Sequence, residues 1–333
     1  DHTIIKPTNN KKFSSGSDDW ELFYDNVSDK LKGYYDNGYN IVIVSNQSKL
    51  SKSITDLQNW VKKIEGLAKK IKLPFIILAS TQKDKYRKPN TKLWEEYIKC
   101  DISNSFFCGD AGGLPKRKVD GINIPKDFSD SDLKFALNLG LKFIHRDEFI
   151  FDIKTVCKPN YIKFEEIKKN EVPIFIPGIK EVIINIGYPG SGKSHYTKNH
   201  ILKYGYIHIN QDTLKTNRKC VDLFKECLNK GENAVIDNTN ITIDIRKQYI
   251  NLAKKYNYKV RCLYFKTSME LSMHNNYYRN TIDNTDIIPD IVYYTFRKKF
   301  QEPSINEGFD LIEVIDFCVD SNVNSNSYFK YYY

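Results

Sequence analysis

Short apolar runs recur along this chain, and between them apolar residues return at every third or fourth position. Runs of about four to eight residues rich in Ile and Val, bounded by turn formers, read as buried strands. The longer three-to-four spacing reads as amphipathic helices. Up to about residue 151 this predicts strand 41–45, helix 53–70, strand 75–79, helix 91–99, strand 104–108 and helix 131–138. From residue 181 the alternation resumes, with strands 181–186, 206–209, 233–237 and 259–265 and helices 219–230, 244–256 and 268–279. Residues 152–180 carry Pro159, Pro173, Pro177 and Gly178 and a charged patch over 165–171, the composition of a connector. Strands alternating with helices imply βαβ units, so the expected fold class is α/β, with two parallel-sheet domains at 1–151 and 181–319. The tail 320–333 is biased to Ser and Asn, closes on three tyrosines, and reads as disordered. No internal repeat is visible.

Composition changes this picture only slightly. A chain of 333 residues with 41% hydrophobic and 28% charged content suits two globular domains, each with its own core. No apolar run approaches the roughly 20 residues of a membrane helix, and no signal peptide is evident, although the chain opens at Asp1 without a Met. The 51 basic and 41 acidic residues leave a net charge of +10. That favours a polyanionic partner, but an A+T-rich gene would enrich Lys and Asn in the same way. Seven cysteines without a C-x-x-C pair read as reduced thiols in a nuclear or cytoplasmic protein.

Candidate chemistry begins at Gly187-Tyr188-Pro189-Gly190-Ser191-Gly192-Lys193-Ser194, directly after strand 181–186. All eight positions satisfy G-x-x-x-x-G-K-[ST]. Gly187, Gly190 and Gly192, with Ser191, let backbone N–H groups cradle phosphate oxygens. Lys193 then reaches the β/γ-phosphates and the Ser194 hydroxyl ligates Mg²⁺, so ATP and Mg²⁺ are the expected cofactors. A Gly-rich turn that happens to carry a lysine is the bland alternative. Asp237 ends strand 233–237, where a Mg²⁺ carboxylate sits in such folds, or where a polar turn simply begins. Asp212 follows strand 206–209 on the same rim and could accept the proton of an attacking hydroxyl, or cap a helix. Arg279, on helix 268–279, could close over the phosphates or be a solvated charge.

These residues resemble the kinase domain of the bifunctional polynucleotide kinase 3′-phosphatases, a P-loop NTPase-type sheet. The matching stretches are 187–194, 210–214 (Asn210-Gln211-Asp212-Thr213-Leu214), 236–240 (Ile236-Asp237-Asn238-Thr239-Asn240) and 274–276 (His274-Asn275-Asn276), and the run from Pro289 to Phe309 is similar to the family's C-terminal end. The resemblance implies that Asp212 is the general base for a 5′-hydroxyl, and that Asn240, Arg218, Lys219 and Arg246 contact substrate. Three of the family's arginine positions depart, carrying Gln211, Lys219 and Gln248, and lysine cannot make the bidentate fork of arginine.

The first domain resembles a haloacid-dehalogenase-type phosphatase, a Rossmannoid parallel sheet whose first strand ends in D-x-D-x-T. There the first Asp attacks phosphorus and the second protonates the leaving oxygen. Asp1-His2-Thr3 matches only the second half, which makes Asp1 the acid and a metal-site neighbour and places the nucleophile two residues before it. The same resemblance assigns phosphoryl contacts to Ser45, Asn46, Arg87 and Lys88. It also assigns metal carboxylates to Asp110 and Asp132, with Asp127 a rival to Asp132. A first strand upstream of Asp1 is expected, because a parallel sheet without its central strand folds poorly.

The function this implies is end-healing in DNA repair: ATP-dependent phosphorylation of 5′-hydroxyl ends and removal of 3′-phosphates. The expected partners are nucleic-acid ends and ATP, with no membrane, and the protein is expected to act as a monomer. Two alternatives stay open. One is a fused kinase and phosphatase for a small nucleotide or sugar. The other is a nucleic-acid-binding scaffold whose phosphatase half is inactive.

Overall fold

A computed structural model describes residues 1–8, 14, 16–119, 121–159, 162, 167, 174–319 and 325–333. The chain divides into two compact units, Asp1–Tyr161 with Lys330–Tyr333, and Ile162–Phe329. The division falls inside the stretch expected to be a connector.

The first unit runs β1 (Ile5–Pro7), β2 (Trp20–Leu22), α1 (Val27–Asp36), β3 (Ile41–Asn46), α2 (Ile54–Ile71), β4 (Phe75–Ser80), α3 (Lys92–Tyr97), β5 (Phe106–Gly109), β6 (Arg117–Val119), β7 (Ile122–Ile124), α4 (Ser131–Leu139), β8 (Lys142–His145) and α5 (Arg146–Phe151). Strands β3 and β4 pair in parallel, as do β5 and β8. Each pair is a separate two-stranded sheet, and β1–β2 and β6–β7 form antiparallel ribbons that the periodicity did not signal. A cavity of about 1290 Å³ lies between the parallel pairs, lined on one side by Val42 and Val44 and on the other by Phe106 and Cys108. The strand run at 41–44, apolar at every position, is what a strand flanked on both faces requires.

The second unit runs β9 (Glu181–Ile186), α6 (Lys193–Tyr196), β10 (Ile207–Ile209), α7 (Gln211–Leu214), α8 (Asn217–Lys230), β11 (Ala234–Ile236), α9 (Ile243–Lys255), β12 (Lys259–Phe265), α10 (Met269–Asp283), α11 (Asp290–Lys299), β13 (Leu311–Ile315) and α12 (Ser325–Tyr328). Its five strands form one parallel sheet in the order β10-β11-β9-β12-β13. Central β9 is buried at all six positions. Its alternate side chains serve the two faces: Val182, Ile184 and Ile186 enter one core with Phe224 and Tyr249, and Ile183 enters the other with Ile201 and Leu263. Every strand therefore ends on the same rim, the usual ligand rim of such sheets.

The tail corrects an expectation. Residues 320–324 lie outside the described residues, but 325–328 form α12, and Tyr328 and Tyr332 are buried. The Ser/Asn bias masked the area that tyrosine rings supply when they find a groove. Among the described residues no helix is long and apolar enough to cross a membrane.

Candidate active sites

In the second unit the phosphate loop bridges β9 and α6. Gly190 has φ +75°, and a Cβ there would lie 2.5 Å from the Ser272 carbonyl oxygen, so only glycine fits. The Lys193 ammonium is buried inside the loop and donates to the carbonyls of Gly187 (2.9 Å) and Tyr188 (2.5 Å) and to Ser191 Oγ (3.3 Å). Burial pulls its pKa down to about 8, opposed by the charges of Asp237 and Asp212 and assisted by Arg279. Those three residues, expected around one phosphate site, thus act electrostatically on one ammonium.

Asp237 is the anchor of this site. Its carboxylate, 1% exposed, receives His208 Nε2 at 2.9 Å, Asn185 Nδ2 at 3.1 Å and the Ser194 hydroxyl. Burial would raise its pKa, but those hydrogen bonds and the Lys193 charge hold it below the usual carboxylate range. An ionised carboxylate next to a serine hydroxyl is an oxygen donor pair that suits Mg²⁺, which takes one or two protein ligands and completes its shell with phosphates and water. Asp212 is exposed. The helix-cap alternative does not hold for it, because Asn210 Oδ1 accepts from the N–H groups of Asp212 (2.9 Å) and Thr213 (3.2 Å). Asn210 Nδ2 donates to the Asp237 carbonyl at 2.6 Å, which ties the turn bearing Asp212 to the end of β11.

Two expected substrate contacts are structural. Arg246 is fully buried, forks onto Glu307 at 2.6 and 2.7 Å, and donates further to the carbonyls of Asn240, Ile241 and Gln301. Asn240 is 2% exposed and donates to the Asn185 carbonyl at 2.7 Å, holding the loop after β11 against β9. Sequence spacing places both near the rim but cannot show which way they turn. Arg218, Lys219 and Arg279 stay exposed, and Arg218 makes only a loose pair with Asp222 at 3.8 Å. His208 and Asn185 were missed. Asn185 had a signal, as the one polar residue in the inward-facing run 182–186.

In the first unit the site gathers at the ends of β3 and β5. Gln47 Nε2 donates to Asp1 Oδ2 (3.2 Å) and to Ser45 Oγ (2.8 Å), linking the two. Thr3 Oγ1 donates to Asp110 Oδ1 at 2.8 Å and accepts from the Asp110 N–H at 3.1 Å. Lys88 Nζ pairs with Asp132 Oδ1 at 2.7 Å and donates to the Val44 carbonyl at 2.8 Å. Asp1 lines the same cavity as Lys63, Lys88, Asp110 and Asp132. Asn46, expected to hold phosphate, instead exchanges two hydrogen bonds with the Lys88 main chain, at 3.0 and 3.1 Å. Its amide is the ruler that sets Lys88. Arg87 lines the same cavity.

Asp132 and Asp127 have different partners. Asp132 Oδ2 accepts from the Ala111 N–H at 3.0 Å, beside Asp110, and its carboxylate fills the space a side chain on Gly109 would need. The Asp127 oxygens are taken up by Arg117 (2.9 Å), His145 (3.2 Å) and the N–H groups of Gly112 and Leu114. Among the described residues no cluster of three or more His, Cys, Asp or Glu forms a closed metal cage. Two carboxylates such as Asp110 and Asp132, joined by substrate oxygens, would suit Mg²⁺.

Fold and sites define a two-domain α/β chain of the phosphate-loop kinase class, with a second, carboxylate–lysine site in its first unit. Residues 1–150 match the family described as Polynucleotide kinase 3 phosphatase, and residues 182–303 match the family described as AAA domain. The chain is 33% identical over 336 residues to the bifunctional polynucleotide phosphatase/kinase of Schizosaccharomyces pombe, covering 95% of this chain and 78% of that protein. It is 37% identical over 344 residues to the putative bifunctional polynucleotide phosphatase/kinase of Acanthamoeba polyphaga mimivirus, covering 91% of this chain and 81% of that one. The polynucleotide 3′-phosphatase of Saccharomyces cerevisiae is 30% identical over 209 residues, 44% of this chain and 83% of its own length. The chain belongs to the bifunctional polynucleotide phosphatase/kinase family.

Proposed function

We propose that this protein heals DNA ends, phosphorylating 5′-hydroxyls from ATP in its second unit and hydrolysing 3′-phosphates in its first. One observation carries the kinase half: Lys193, Ser194, Asp237 and Asp212 meet on one rim of a parallel sheet, with Asp212 exposed beside them. Asp212 takes the proton of the attacking 5′-hydroxyl as the oxygen bonds to the γ-phosphorus, while the bond from that phosphorus to the β,γ-bridging oxygen breaks and ADP leaves. Lys193, drawn out of its loop carbonyls, neutralises the phosphoryl oxygens, and Arg279 closes from the exposed side. Ser194 and Asp237 would hold Mg²⁺, which would supply neutralisation of the phosphate charge. The basic balance of the chain suits a polyanionic acceptor.

In the first unit Asp1 gives its proton to the departing 3′-oxygen, while Lys88 and Ser45 hold the phosphoryl oxygens. Asp110 and Asp132 would hold Mg²⁺, which would neutralise phosphate charge. The cavity between β3 and β5 supports one more element, a parallel strand that would join the two pairs into one sheet. Its C-terminal end would deliver a nucleophilic Asp two positions before Asp1.

The test uses an oligonucleotide with a 5′-hydroxyl and a 3′-phosphate, γ-labelled ATP and Mg²⁺. Label is expected at the 5′ end, and a protein that carries the preceding strand should also release inorganic phosphate from the 3′ end. A 5′-hydroxyl left unlabelled refutes the kinase. Phosphate release that persists when the residue two before Asp1 is Ala refutes the nucleophile.

A further inference from the structure

The C-terminal segment reaches the phosphate loop through one asparagine, and this role rests on the kinase reading of the second unit. Tyr328 of α12 is 3% exposed. Its hydroxyl donates to Asn275 Oδ1 at 2.5 Å, and Asn275 Nδ2 donates to the Gly190 carbonyl at 2.9 Å. The Tyr328 carbonyl meets His274 Nε2 at 2.8 Å, and its ring packs edge-on against His274 at 4.9 Å and parallel to Phe317 at 6.5 Å. Phe317 in turn lies against Gly192 of the loop.

The chemistry of the amide makes this chain of bonds directional. An asparagine side chain can present either its oxygen or its NH₂ group to a neighbour, and the two orientations fill the same space. A carbonyl such as that of Gly190 accepts only from the NH₂ end. The Gly190 carbonyl therefore sets which way the amide faces, and the Tyr328 hydroxyl, donating to the oxygen end, holds that side chain in place against the loop. Without that donor the Asn275 oxygen loses its partner, the side chain keeps one anchor of two, and the Gly190–Ser191 peptide plane is tethered less firmly. Burial keeps His274 neutral, with a pKa near 4, so its Nε2–H is available to hold the Tyr328 main chain in place.

We propose that Tyr328 is a positioning residue for ATP binding, steadying the phosphate loop by holding the Asn275 side chain in place. The partner is the loop itself, 138 positions upstream of Tyr328 at Gly190, so α12 is tied to the nucleotide site through Asn275.

The test measures ATP–Mg²⁺ dissociation constants by calorimetry on the full chain, beside kcat for 5′-phosphorylation and the melting temperature. Tyr328→Phe keeps the ring and removes only the hydroxyl. It should raise the ATP dissociation constant about tenfold, the scale of one buried hydrogen bond, with kcat at saturating ATP within about twofold. Asn275→Asp, which keeps the acceptor for Tyr328 and loses the donor to Gly190, should weaken ATP at least as much. The double variant should be no worse than Asn275→Asp alone, since both act through one bond. An unchanged ATP affinity in Tyr328→Phe overturns the proposal, and so do independent, multiplying losses in the double variant. A wild type that binds ATP but labels no DNA end sinks the acceptor reading, while the affinity comparison still decides the role of Tyr328. A wild type that binds no ATP sinks both.

Discussion

The two units build phosphate-handling sites from opposite kinds of sequence. In the second unit eight consecutive residues make the cradle, and a sheet of five hydrogen-bonded strands holds it. Asp237 and Asp212 arrive from the two neighbouring strands on one side. In the first unit nothing comparable is contiguous. Asp1, Ser45, Lys88, Asp110 and Asp132 come from five separate places along the chain. The comparison teaches that a loop motif carries its own geometry, whereas a scattered site borrows it from neighbours such as Thr3, Asn46 and Gln47.

The largest effect should separate chemistry from scaffold. Asp212→Asn keeps shape and exposure but removes the proton acceptor, so kcat for 5′-phosphorylation should fall by about 10²–10⁴, with ATP affinity retained. Transfer at the wild-type rate would remove Asp212 from the mechanism and blur the contrast between the two units.

Next comes Arg246, which should behave as scaffold. Arg246→Met leaves Glu307 buried without its partner and should cost about 3–5 kcal/mol of second-unit stability, read as the denaturant midpoint at which kinase activity is lost. If DNA affinity falls instead, with the midpoint unchanged, the arginine is a substrate contact after all.

A smaller effect depends on pH. Burial lowers the His274 pKa to about 4, against about 6.5 in an unfolded chain. Between those values the unfolded state binds more protons, so the contribution of His274 is present above pH 6.5 and is lost as pH falls toward 4, by about 3 kcal/mol. Denaturation of the wild type should steepen in that window relative to His274→Gln, and parallel curves would contradict it. The smallest change is expected at Arg218, whose pair with Asp222 is exposed. Arg218→Ala should alter stability by less than about 0.5 kcal/mol, so any rise in the Michaelis constant for DNA ends would report a phosphate contact.

Much of the second unit is legible in its amino-acid sequence. Strand 181–186, its loop, Asp237 at a strand end and Asp212 just past another are local facts, and period and motif report local facts well. In the first unit the main strands and helices are legible in the same way, but the site is legible only through resemblance. The unit's short antiparallel ribbons and the choice of Asp132 over Asp127 carry no periodic signal. The two aspartates stand five positions apart in one polar stretch, and only contacts with Lys88 or with Arg117 and His145 tell them apart.

By itself, then, the amino-acid sequence determined the α/β class, the two domains and the nucleotide loop, because a parallel strand buried on both faces and a glycine-rich phosphate cradle each demand a contiguous pattern. Tertiary structure alone decided that Arg246 and Asn240 face inward, that Asn46 aligns Lys88, and that Tyr328 reaches back to Gly190. Those outcomes depend on hydrogen bonds closed between residues far apart along the chain. A polar side chain looks the same in sequence whether it ends against substrate or against a buried carbonyl.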